Sequence, residues 1–265
     1  MDMQETSSRS PLKFYLLLFA LSVPFFLLGA IAEKLSGWLP MSLPISALGA
    51  FCPLIAAMIL VHREDKQGGI RKLLKRVFDY KRIKRKIWYI PIIFLMPVIM
   101  LLSYWAMRLL GRTLPEPHIP FMTIPILFVM FFAAAVGEEA GWMGYAVGPM
   151  LGRWSALKTG IILGISWAIW HLIPFIQTHR SAAWIAWQCG VTVLLRILIV
   201  WLYNNAGKSV FAAALFHTMI NISDTLFPNN GSHYDPAITV VFLAIMVVAV
   251  TFLWGSKTLA RYRYA

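Results

Sequence analysis

The chain has 265 residues, 59% of them hydrophobic, a mean hydropathy of +0.70, and 24 Lys and Arg against 11 Asp and Glu for a net charge of +13. That balance excludes an ordinary soluble domain, which is nearer half apolar, and points to a polytopic membrane protein. The excess of base sits in loops between apolar runs, which argues for a membrane surface rather than nucleic acid. The two cysteines, Cys52 and Cys189, lie inside apolar runs without metal or disulfide spacing and read as small hydrophobes.

A spanning helix needs about 20 mostly apolar residues, and on that measure the sequence predicts an all-α transmembrane bundle of about eight spans. They cover residues 12–32, 43–61, 87–110, 121–145, 157–176, 182–203, 209–227 and 237–254. The first follows Arg9 and Lys13 as a signal peptide would, but its apolar run is too long for a cleaved segment and reads as a retained span. Pro91 and Pro97 are expected to kink the third. The whole of 1–265 is read as one membrane-embedded domain with a motif core at about 121–227.

The basic interfacial loop, 63–86, holds Arg63, Lys66, Arg71, Lys72, Lys75, Arg76, Lys81, Arg82, Lys84, Arg85 and Lys86. Positive residues mark the cytoplasmic side, which puts both termini inside. Arg153, Lys158, Lys208, Lys257, Arg261 and Arg263 fall on the same side, so the chain reads as an integral protein of the bacterial cytoplasmic membrane. Within the loop, Ile70, Leu73, Leu74, Val77 and Phe78 share one helical face, with Arg71, Lys72, Lys75 and Arg76 on the other. This is the pattern of an amphipathic helix lying on anionic lipid.

The polar residues inside the spans carry the chemistry. Glu138 and Glu139 end the apolar run of the fourth span. Carboxylates at such depth are expensive, so they count as a functional-site hypothesis. Being consecutive, they point about 100° apart on a helix and cannot face one site equally. His171 lies in the fifth span, beside a small-residue face formed by Gly160 and Gly164. In the seventh, His217 and Asn221 share a face one turn apart, and Asp224 extends it. One carboxylate with two imidazoles is a toolkit for activating water. It can work through a divalent metal such as zinc, held by Glu138, His171 and His217, or without metal, with glutamate as general base. Asn221 suits an oxyanion donor. A site of this kind within the membrane points to hydrolysis of a membrane-associated peptide or protein.

Glu138-Glu139, then Trp167-x-x-x-His171 on the next span, then His217-x-x-x-Asn221 two spans later resemble the motifs of the CAAX protease and bacteriocin-processing family, the CPBP or Abi intramembrane endopeptidases. The resemblance covers residues 121 to about 224. It implies that Glu138 activates the water with His171 assisting, that His217 and Asn221 bind the oxyanion, and that Glu139 supports. Both metal-dependent and glutamate-only chemistry are compatible with it. The family pattern reads Glu-Glu-x-x-x-Arg, and here Met143 stands at the arginine position, which removes a charge partner from a glutamate. Arg153 and Arg196 are the candidates to replace it in space. Two other readings remain: a non-catalytic membrane scaffold or immunity protein with a degenerate site, and a proton-coupled transporter. Transporters often carry internal repeats, and the sequence shows none.

Overall fold

The computed structural model describes residues 9–34, 45–65 and 68–260. Among them it is a helical bundle without strands; one isolated bridge pairs His118 with Asn229. The order is α1 (Pro11–Lys34), a 3-10 segment (Ile45–Phe51), α2 (Cys52–Asp65), α3 (Gly69–Val77) and α4 (Tyr89–Leu109). Then come α5 (Ile124–Gly141), a π-helical turn (Trp142–Ala146), α6 (Val147–Arg153), α7 (Ala156–Gln177), α8 (Ala182–Asn205), α9 (Val210–Leu226) and α10 (Pro236–Trp254).

Among the described residues six helical segments are long and apolar enough to cross a membrane: Pro11–Ile31, Lys86–Leu109, Phe121–Arg153, Ala156–Gln177, Ala182–Asn205 and Pro236–Trp254. The other two expected spans fall short of that length. α9 has 17 residues. The stretch 43–61 is divided, because Pro53 lacks an N–H and suits only the first turn of a helix, so α2 begins at Cys52 after the 3-10 segment. Residues 43 and 44 lie outside the described residues, as do both ends of the chain. The expected fourth span runs on past 145 to Arg153, through the π turn. Pro91 falls in the first turn of α4, where its missing N–H costs no helical bond; Pro97 alone is interior there.

Helix starts are set by side chains in the loops. Ser155, Ser181 and Ser209 accept the backbone N–H of Lys158, Trp184 and Ala212, and Asp235 accepts that of Ala237. Each satisfies a donor that the first turn leaves open. α7 lies along α8, with Gly164 at the crossing: a methyl group there would sit 2.7 Å from Val193 Cα. Only a small side chain permits that approach. α9 packs against both α5 and α4.

The amphipathic helix forms as α3, but its apolar face divides. Leu73 and Val77 are buried, whereas Leu74 and Phe78 stay exposed beside Arg71 and Lys75. Arg76 turns inward rather than joining the outer basic face. Its Nη1 donates to the Gly144 carbonyl at 2.8 Å and its Nη2 to the Tyr203 hydroxyl at 2.9 Å.

Candidate active site

α5 delivers both glutamates into the protein interior, Glu138 at 6% exposure and Glu139 at 0%. Just beyond them the helix widens into the π turn, a form that concentrates at functional sites. The turn is held from two sides. Gly144 takes the Arg76 hydrogen bond, and the Tyr145 hydroxyl donates to Glu64 at the end of α2 at 2.8 Å. Gly141 makes this closeness possible, since a Cβ there would lie 2.5 Å from the Pro53 carbonyl oxygen.

The angular offset of the two acids gives them different surroundings. Glu139 is fully engaged. Arg196 Nη1, from α8, donates to both carboxylate oxygens at 2.9 and 2.7 Å, and His217 Nδ1, from α9, lies 2.9 Å from Oε1. Glu138 accepts one hydrogen bond, from Trp167 Nε1 to Oε2 at 2.7 Å. Its other oxygen bonds to no described residue.

The two imidazoles can be assigned tautomers from their partners. His171 Nδ1 faces the Trp167 carbonyl at 3.0 Å, and a carbonyl can only accept, so Nδ1 carries the proton and Nε2 is left available. His217 Nδ1 faces a carboxylate oxygen, which likewise fixes the proton there. Trp167 stands between them, edge-on to both rings at centroid distances of 5.1 Å. It also lies under the Arg196 guanidinium, 4.0 Å from the ring centre, while Trp142 lies 5.7 Å from the same cation. A cation over a desolvated indole gains about 2 kcal/mol in favourable cases.

Glu138, Glu139, His171 and His217 therefore come together around one indole. Asn221 lies one turn beyond His217 on α9, half-buried, and makes no hydrogen bond to a described residue. Asp224, further along, keeps a buried Oδ1 without a partner among the described residues. Arg153 is exposed at the end of α6; of the two candidate arginines, Arg196 is the one that meets Glu139. Among the described residues no group of three His, Cys, Asp or Glu side chains is placed to hold a metal ion. Glu139, with both oxygens taken, is not a spare ligand.

Residues 120–223 match the family model described as Type II CAAX prenyl endopeptidase Rce1-like. Over 264 residues the chain is 27% identical to CAAX prenyl protease 2 of Methanococcus maripaludis, covering 94% of this chain and 95% of the relative. Over this stretch the chain is similar to the CPBP family. The chain is an integral membrane protein, and the matched stretch holds Glu138, Glu139, Trp167, His171, Arg196, His217 and Asn221. A more limited likeness, 26% over 137 residues, links it to membrane protein insertase YidC 2 of Staphylococcus epidermidis, covering 44% of this chain and 47% of that one.

Two parts of this candidate site were hidden in the sequence. Arg196 was one of two candidates, and nothing in spacing along the chain could choose between them. Trp167 was legible only as the aromatic position of a motif, not as the donor to Glu138.

Proposed function

We propose that the chain is an intramembrane endopeptidase that hydrolyses a peptide bond in a membrane-associated peptide or protein. The unequal engagement of the two glutamates carries this reading. Glu139 is saturated by Arg196 and His217, while Glu138 keeps an oxygen free to take a proton. A base for water must be near the site and not already bonded on both oxygens.

In this mechanism Glu138 removes a proton from water, and the hydroxide attacks the peptide carbonyl carbon. His171 Nε2 accepts the water's second hydrogen and orients it. The carbonyl oxygen becomes an oxyanion and takes a hydrogen bond from the Asn221 amide, one turn from His217, whose Nδ1–H stays on Glu139. The tetrahedral centre then collapses, the C–N bond breaks, and Glu138 returns its proton to the leaving nitrogen. The surrounding groups are fixed beforehand, which is where such sites gain most of their rate.

The likeness to CAAX prenyl protease 2 suggests a substrate class for this chain: a protein processed near a lipid-modified C-terminus at the cytoplasmic face of a bacterial membrane, with both termini of the enzyme on that side. Eight crossings fit if α9 and the divided stretch 45–65 also span. A non-catalytic scaffold is favoured by one observation only, Met143 at the arginine position of the motif. The deciding experiment is cleavage of membrane-inserted peptides by purified protein with and without a chelator. Cleavage that survives chelation is expected, and a purified protein that cleaves none of a broad peptide panel would favour the scaffold.

A further inference from the structure

We propose that Arg196 is the positioning residue that divides labour between the two glutamates, so that a chain with Met143 keeps a working site. This rests on the hydrolase reading above and concerns how its carboxylates are held.

A buried carboxylate is held in its charged form by a fixed cation beside it. Position 143 is one turn beyond Glu139, where a long basic side chain could reach back to it. Met143 is fully buried there and brings no charge. The cation arrives instead from α8, in a residue that is itself 0% exposed. It is not placed by the usual two-pronged fork, because only Nη1 bonds to Glu139, and Nε and Nη2 have no hydrogen-bond partner among the described residues. What places it is the pair of indoles, Trp167 at 4.0 Å and Trp142 at 5.7 Å.

This arrangement touches both acids. Arg196 holds Glu139 directly. Its planar face rests on Trp167, whose N–H is the single hydrogen bond to Glu138. Taking the guanidinium away would release Glu139 and His217 and remove the support on one face of the Glu138 donor. Trp142 and Met143 are consecutive at the start of the π turn, so the chain supplies an indole to receive the cation next to the position that could have carried it.

The test uses the full chain in lipid nanodiscs and a membrane-inserted peptide that the wild type cleaves. Arg196→Met should lower kcat about 10²-fold with KM little changed, the scale expected when a reacting group is misplaced by about 1 Å. Arg196→Lys should fall in between, since an ammonium cannot lie flat on an indole. Moving the charge, in the double variant R196M/M143R, should recover most of the lost kcat. R196M/E139Q should be no slower than R196M alone, because both changes remove one shared function. A merely structural arginine would predict lower membrane abundance with unchanged kcat per folded molecule and no recovery by M143R. The proposal is overturned if R196M cleaves at the wild-type rate at equal abundance, or if R196M/M143R folds and stays as slow as R196M. Glu138→Gln run alongside separates the two levels. Wild-type cleavage by that variant would sink the hydrolase reading, whereas an inactive Glu138→Gln beside an active R196M would sink only the role of Arg196.

Discussion

The Arg196–Glu139 pair and the Arg108–Glu116 and Arg112–Asp235 pairs join the same chemical groups in two different regions. The first is 0% exposed on both sides; the others are exposed at 41% and 84%, and at 50% and 19%. In the interior, neither charge has water to fall back on, so each is committed to the other. At the helix ends, both arginines can return to solvent. The same contact is thus a structural necessity in one place and an ornament in the other, and burial makes the difference.

The comparison can be tested from its strongest point downward. Glu138→Gln keeps the shape and the acceptor for Trp167 but removes the base, so it should abolish cleavage while the thermal midpoint in detergent stays within the wild-type range. Breaking the interior pair with Arg196→Met should cost roughly 3–5 kcal/mol of stability by leaving Glu139 buried without its fixed cation, read from unfolding in detergent. Asn221→Ala should leave folding intact and lower kcat by about 10²–10³, the usual effect of losing one oxyanion donor. Trp167→Phe retains the ring but deletes the N–H to Glu138, a hydrogen bond to a charged group worth about 1.5–3 kcal/mol, and kcat should fall accordingly. At the weak end, Arg112→Ala should change stability by about 0–1 kcal/mol, with no effect on cleavage. An Arg112→Ala cost equal to that of Arg196→Met would dissolve the distinction between the two regions.

Much of the bundle was legible because apolar length and loop charge are one-dimensional signals. The stretches 157–176 and 182–203 reappear almost unchanged as α7 and α8. Local backbone chemistry was harder to read. Pro53 splits one expected span, and Pro91 is harmless because α4 starts just before it. The π turn after Gly141 leaves no mark in the hydrophobic pattern, since all of Trp142–Ala146 is buried. At the site, the spacing of motifs located Glu138, His171 and His217. The choice of Arg196 over Arg153 depended on which helices meet, and that is decided by close packing at positions such as Gly164 rather than by charge.

Trp167 has a consequence for how this protein can change over time. A single side chain donates to Glu138, meets the edges of His171 and His217 and carries Arg196 on its face, while its carbonyl fixes His171. Substitutions at these positions share a partner, so their effects will not add. A lineage cannot exchange the members one at a time without passing through forms in which several groups are loose together. The indole makes the site resistant to gradual drift, and it confines neutral variation to the lipid-facing sides of the helices that surround it.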